Sequence, residues 1–457
     1  MNKKFFIILL LALFIRLIAI DQSLWLDEAV TANVVSDYSY SEIITKFSPT
    51  DFHPPLFYLV EKFWSNMFGY SEIALRFPSI IFSLLSGWIV YLIGKRMKDD
   101  PTSSRHDVGT TLGAWAAALF LFNPLIIYYS QEARMYSLIT LFITMIVYYL
   151  LRINGLTNFK KNNWYLRDIF LCNGFILLSL LTFYGSIFFI FAIYIWLLIK
   201  REFKLLFLLL PGFILAVLLI FPLFIEQYIN SKIALNDVKN WDLVLGKANI
   251  KNLLLIPIKF SIGRISFEPK ILYYSIAGLW SMFVFYIFAK GWKNMLFLIT
   301  IITILLAFIA SFFTPLLQYF RFIYLIPIFV LLITLGIDAK WQRFLVVGGF
   351  LIFSLIYLLN PQYHREDWKG LVGDLKTKTI YMIPSSSDAV KYYDKKIEIK
   401  DLKSLQSLEL ENNLTIIPYT SDIHGVTYAE ELVKKDYVLE SEKSYRELKI
   451  ETWKIGN

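Results

Sequence analysis

Residues 4–31 read "KFFIILLLALFIRLIAIDQSLWLDEAVT", an apolar run to Ile20, interrupted once by Arg16 and followed within one short step by the acidic pair Asp27 and Glu28. An apolar stretch of about 18 residues crosses a bilayer as a helix. The run is therefore read as a first span, and the acidic pair as standing at its far edge. Although "MNKK" precedes it, Arg16 breaks the apolar core and no small-residue cleavage site follows, so the sequence predicts a retained helix rather than a removable leader.

The pattern continues along the chain. Of 457 residues, 57% are hydrophobic, 18% aromatic and 18% charged, with a mean hydropathy of +0.56. That balance excludes an ordinary soluble domain. Roughly eleven segments satisfy the length rule for a span: 4–20, 74–94, 110–127, 134–151, 169–184, 186–199, 204–222, 271–289, 295–313, 321–338 and 344–359. The formal net charge of +9 resides largely in loops: Lys3 and Lys4, "GKRMKDD" from 94, "FKKNNWYLR" from 159, "KREFK" from 200, "KGWKN" from 290 and "AKWQR" from 339. Threading the spans alternately puts all of these on one side, which the positive-inside rule makes the cytoplasm. The charge thus reports topology and implies no nucleic acid. Segment 21–73, loop 222–270 and everything beyond about 360 fall on the outer side, with the N-terminus inside. Long loops such as 222–270, itself basic, obey the rule weakly.

The domain organisation expected is a transmembrane part, 1–360, followed by a small extracytoplasmic α/β domain, 361–457. In the latter, strand-like runs ("TIYMIP", "LTIIPY", "LKIETWKI") alternate with helix-like ones ("DAVKYYDKK", "YAEELVKK"). Within 54–68, Leu56, Phe57, Val60, Phe63, Trp64, Met67 and Phe68 share one helical stripe, with Glu61, Lys62, Ser65 and Asn66 opposite. This predicts a helix lying in the membrane plane. "EAVTANVV" reads as a second short surface helix. No inverted repeat and no Gly-rich phosphate loop are visible, and the lone Cys172 permits no intrachain disulfide.

Ionisable groups at a membrane rim are costly unless paired or used, so they are the functional candidates. They are Asp27 and Glu28, Asp51 and His53 in "TDFHPPLFY", Arg76 in "ALRFPS", Glu132, Arg134 and Tyr136 in "SQEARMYSL", and Arg321 in "QYFRFIYLIP". Arg76, Arg134 and Arg321 each open a span whose N-terminus faces outward, where backbone donors and a guanidinium can share an anion. A carboxylate pair beside such a site fits group transfer, one carboxylate taking a proton while cations hold a leaving phosphate. Each element also has a plainer reading: Asp27 and Glu28 as solvated or capping residues, Asp51 and His53 as surface groups, Glu132 as a helix-terminal charge, Arg76 and Arg321 reaching for head groups. Arg16 is expected to pair with an acidic side chain.

Taken together, "WLDEA", "HPPLFY", "LRFPS", "YYSQEARMYSL" and "REDWKG" occur in an order that resembles the bacterial and archaeal membrane glycosyltransferases of family 39. These form part of the GT-C superfamily, with the protein O-mannosyltransferases and the aminoarabinose transferase that modifies lipid A. The resemblance spans the whole chain. It implies a GT-C type α-helical polytopic fold of about 11 to 13 transmembrane helices with the small outer domain, and a polyprenyl-phosphate-linked monosaccharide as donor. It places the catalytic base on Asp27, with Glu28 beside it, and Glu132 and Arg134 in the floor of the site. No large insertion interrupts the central outer loop, which weakens a protein acceptor relative to a lipid or glycan.

The expectation is therefore a plasma-membrane glycosyltransferase acting with inversion. Asp27 and Glu28 are its catalytic carboxylates; Asp51, His53, Glu132, Arg134, Tyr136, Arg76 and Arg321 bind substrate. No cofactor is required, although a divalent cation could sit by Asp51, His53 and the acidic pair. A flippase for lipid-linked sugars would instead show mid-membrane charges and symmetric halves, and a polysaccharide polymerase or ligase would exploit the basic 222–270 loop.

Overall fold

In the computed structural model the chain is described over residues 3–97, 109–154, 165–406 and 412–456. Two of the basic stretches, from 94 and from 159, fall partly outside these residues. Among the described residues, seven helices are long and apolar enough to cross a membrane: Glu72–Arg96, Tyr136–Ile153, Tyr165–Thr182, Phe203–Asp237, Lys270–Ala289, Tyr319–Gly336 and Lys340–Leu359. The shorter helices Lys3–Leu17, Ser186–Ile199 and Met295–Ala310 fill the remaining expected places. Every segment expected to span is thus helical, and the molecule is a multi-pass helical membrane protein.

The span expected at 110–127 is broken. Helices Thr111–Leu121 and Pro124–Ser130 meet at 62°. Pro124 has no N–H to continue the first helix, and Asn123 restarts the second by accepting from the amides of Leu125 (3.0 Å) and Ile126 (3.2 Å). Its amide nitrogen also donates to the Phe260 carbonyl at 2.8 Å, fixing the corner. This bend delivers residues 131–135 to the rim of the bundle.

Close packing elsewhere relies on small residues. A Cβ on Gly113 would lie 2.6 Å from the Tyr91 carbonyl oxygen, and one on Gly94 would lie 2.9 Å from the Ala116 Cβ. Helices Glu72–Arg96 and Gly109–Leu121 therefore cross backbone to backbone, as dispersion-driven packing in lipid favours. Arg16 is fully buried, and its partners are the Ala12 carbonyl and Ser83 Oγ, both at 3.0 Å, rather than the acidic side chain expected.

Helix Phe203–Asp237 has 35 residues. At 1.5 Å per residue this is about 50 Å, well beyond the roughly 30 Å of a hydrocarbon core. Residues 222–237, read from sequence as the start of an outer loop, continue the helix, and its outer turns pack on residues 48–53.

The segment after the first span forms helices Leu26–Asp37 and Leu56–Phe68, both anticipated. In the second, Phe63, Met67 and Phe68 are exposed while Glu61, Lys62 and Ser65 are buried. The C-terminal end of its apolar stripe is thus exposed while Phe57 is buried, and much of its polar side is turned into the protein, Asn66 excepted.

Beyond the last span lies a five-stranded sheet of order β2-β1-β3-β5-β4, formed by β1 (Thr379–Met382), β2 (Glu398–Asp401), β3 (Asn413–Ile416), β4 (Tyr437–Tyr445) and β5 (Leu448–Ile455). β1 pairs in parallel with β2 and β3, and β5 pairs antiparallel with β3 and β4. The strands anticipated from sequence are β1, β3 and β5. β2 and β4 escaped notice because "EIKD" and "YVLESEKSY" are largely polar. The sheet region rests on the segment after the first span: the Leu24 amide donates to Tyr393 Oη (2.9 Å), Asn33 Nδ2 to the Asp388 carbonyl (3.0 Å), and the Lys369 amide to Ser23 Oγ (3.1 Å).

Candidate active site

Asp27 and Glu28 open the helix Leu26–Asp37, and adjacent helical positions diverge by about 100°. Glu28 turns inward and is fully buried. Arg76 grips it through two contacts, Nε to Oε1 at 2.8 Å and Nη2 to Oε2 at 2.6 Å, while the Ala133 amide donates to Oε1 at 2.8 Å. The remaining Arg76 donors serve the carbonyls of Ile20 (2.7 Å), Gln22 (2.6 Å) and Ser23 (3.0 Å). All five N–H groups of Arg76 are thus engaged within the protein. The pair fastens the end of the first span, the start of the next helix and the "QEAR" corner at one point. Removing one partner from such a buried pair costs about 3–5 kcal/mol.

Asp27 turns the other way, its side chain 38% exposed. Its Oδ2 lies 3.6 Å from Nη2 of Arg134, which is buried. Arg134 Nη1 donates to Tyr58 Oη at 3.1 Å, and Tyr58 donates in turn to Asp51 Oδ2 at 2.9 Å. His53 Nδ1 lies 3.5 Å from Asp51 Oδ1. Burial alone would raise the Asp51 carboxyl, but the charges of His53 and Arg134 hold it below the usual range. The structure therefore joins Asp27, Arg134, Asp51 and His53 into one network through Tyr58, which lies at the end of the "HPPLFY" motif. Gln227 of the long helix pins this loop by donating to the carbonyls of Ser48 (2.6 Å) and His53 (3.0 Å).

Glu132 occupies the other side of the corner, buried, with Arg365 donating to Oε1 from Nη2 at 2.8 Å and from Nε at 3.2 Å. Burial raises its carboxyl above the ordinary range despite the lowering effect of Arg365. Arg365 also covers the Trp25 ring at 3.7 Å. Tyr136 lies within electrostatic range of Asp27, Glu132, Arg134 and Arg321. Arg321 donates to the Pro315 carbonyl at 3.3 Å.

Two further cations were not singled out in the sequence. Arg264 stacks over Tyr128 at 4.8 Å and donates to its hydroxyl at 2.5 Å. Lys259, one turn earlier, is lowered to about 8, by burial first and then by the charge of Arg264. No carboxylate among the described residues pairs with either. Two cations held together with tyrosine hydroxyls as their hydrogen-bond partners offer positive charge to an anion. Only Arg365, inside the quoted "REDWKG", carried a sequence signal; "IGRISF" around Arg264 carries none. Among the described residues no group of three His, Cys, Asp or Glu side chains could hold a metal ion.

Comparison with known proteins bears on this arrangement. Residues 52–226, which include Asp51's neighbour His53, Arg76 and the "QEAR" corner, match the family model described as dolichyl-phosphate-mannose-protein mannosyltransferase. The chain is similar in structure to ArnT from Cupriavidus metallidurans in the apo state, with a TM-score of 0.59 and 10% identity over 98% of this chain and 97% of that one. The two chains share a fold. ArnT bound to undecaprenyl phosphate aligns over the same shares of both chains with a TM-score of 0.56 and 11% identity. The archaeal oligosaccharyltransferase AglB from Archaeoglobus fulgidus, in complex with an inhibitory peptide and a dolichol-phosphate, gives 0.51 at 12% identity, over 95% of this chain and 72% of that one. Compared by sequence with curated proteins, the chain matches none.

Proposed function

We propose that the protein transfers a monosaccharide from a polyprenyl phosphate in the outer leaflet to an acceptor on the extracytoplasmic side, with inversion at the anomeric carbon. The observation that carries this reading is the half-exposed Asp27, 3.6 Å from the buried Arg134. Similarity to a structure bound to undecaprenyl phosphate and to one with a dolichol-phosphate supports a lipid phosphate as carrier. A lipid-linked sugar cannot leave the bilayer, so a site at the rim suits it.

In this mechanism an acceptor hydroxyl loses its proton to Asp27 as its oxygen bonds to the anomeric carbon. The bond from that carbon to the phosphate oxygen breaks, and the electron pair leaves with the polyprenyl phosphate. Arg264, Lys259 and Arg321 neutralise the phosphate, without need of a divalent metal. Arg134, 3.6 Å from the Asp27 carboxylate, holds it in position. Asp51 and His53 orient a substrate hydroxyl through the Tyr58 network. Glu28 and Arg76 act as positioning residues, since their polar atoms are consumed by one another and by backbone.

The test is transfer in membranes from a panel of radiolabelled polyprenyl-phosphate monosaccharides, comparing wild type with Asp27→Asn at equal expression. Loss of a general base is expected to lower turnover by about 10²–10⁴-fold. Equal rates remove Asp27 from the mechanism. Movement of the labelled lipid across the bilayer without transfer would replace the reading with a flippase.

A further inference from the structure

Buried polar atoms without a hydrogen-bond partner are rare in folded proteins, and each calls for an explanation. Several here gather around the segment "REDW", where the C-terminal region meets the membrane bundle. Glu366 is only 7% exposed, and its Oε2 has no partner among the described residues. The same holds for Glu132 Oε2 and Trp25 Nε1, both in contact with the neighbouring Arg365. The other oxygen of Glu366 accepts from Tyr419 Oη at 2.9 Å. Tyr419 follows β3 and lies within electrostatic range of both Asp27 and Arg365. Its ring stands edge-on to the fully buried Trp368, with centroids 4.9 Å apart at 88°, so its position is fixed by packing.

We propose that Glu366 and Tyr419, carried by the C-terminal region, determine specificity by holding hydroxyls of the sugar being transferred. This rests on the donor reading above. The chemistry separates the two halves of such a donor. Lys259 and Arg264 form a cationic side, which takes phosphate. Glu132 is already paired with Arg365, whereas the Oε2 of Glu366, without a partner among the described residues, offers an acceptor to a hydroxyl donor. A tyrosine hydroxyl, both donor and acceptor, completes a pattern suited to adjacent sugar hydroxyls. The soluble region is then part of the site rather than an appendage of it.

The experiment compares binding of bare polyprenyl phosphate and of the sugar-linked lipid to purified full-length wild type, Glu366→Ala and Tyr419→Phe. Hydrogen bonds to a charged group correspond to about a ten- to hundredfold change in affinity. The expected result is a loss of that size in Glu366→Ala for the sugar-linked lipid, a smaller one in Tyr419→Phe, and unchanged affinity for the bare lipid in both. Unchanged binding of both lipids overturns the proposal, and a parallel loss of both would make the pair structural and overturn it equally. Wild type that binds neither lipid removes the donor reading itself, an outcome distinct from either.

Discussion

Glu61 lies wholly buried on the inward face of helix Leu56–Phe68, and neither of its carboxyl oxygens has a hydrogen-bond partner among the described residues. Burial, followed by the charge of Glu28, raises its carboxyl well above the ordinary range. The native state therefore retains a proton that the unfolded chain gives up near the usual value of about 4.3. With the folded value above the unfolded one, the contribution to stability is fully present below that pH and is lost as pH rises above it. Glu61→Gln imitates the protonated form and lacks this loss. Its melting temperature in detergent should match wild type near pH 4 and exceed it increasingly toward pH 8; parallel curves would mean that Glu61 has found a counter-charge. At this scale the sequence showed which groups gather at the rim but not which way each turns. Asp27 and Glu28 are neighbours of equal charge, and only the placement of Arg76 and Ala133 decides that one is locked away while the other meets solvent. Arg264 stayed hidden because its significance lies in Tyr128, far off in the chain.

The long helix Phe203–Asp237 shows how an element can mislead when read by hydropathy. The apolar run fades at Pro222, Glu226 and Gln227, which reads as an exit from the membrane. The chain does leave the apolar layer there on length grounds, yet the helix persists because its polar residues find partners. Gln227 is buried, accepting from Tyr184 Oη at 2.6 Å while donating to the Ser48 and His53 carbonyls. Asn230 adds a bond to the Pro49 carbonyl at 2.7 Å. This helix is thus the strut that holds Asp51 and His53 in place. Gln227→Ala removes two bonds to that loop, each worth about 1 kcal/mol. Transfer should fall roughly tenfold, with faster hydrogen exchange at residues 48–53 and no change in the helices beneath. Unchanged exchange there would show that the loop holds itself. By contrast, helix Leu56–Phe68 was legible because its stripe follows a single period, and period survives whatever packs on it.

Across the whole molecule, the outer-domain fold and the basic turns lie at opposite ends of the bundle. The sheet, the helices Leu26–Asp37 and Leu56–Phe68, and the Asp27 network stand together at one end of the bundle. Lys95 and Arg96, Lys200 and Arg201, Lys290 and Lys293, and Lys340 lie at helix ends or turns toward the opposite end. On the proposed reading, the positive-inside rule assigns that opposite end to the cytoplasm and the site to the outer face. This matters for the chemistry, because a cytoplasmic site would have access to nucleotide-activated sugars, whereas an outer one needs a donor already carried across on a lipid. Cys172 is fully buried and offers no competing thiol to an aqueous reagent. Single cysteines can therefore report side. Glu440→Cys, on exposed β4, should react with a membrane-impermeant maleimide in intact cells, and Lys293→Cys, on the exposed turn after Lys270–Ala289, only after permeabilisation. The reverse pattern would place Asp27 in the cytoplasm and remove the lipid-linked donor as the natural substrate. Labelling of both in intact cells would show a leaky preparation, and labelling of Glu440→Cys alone would fix the leaflet from which the sugar must come.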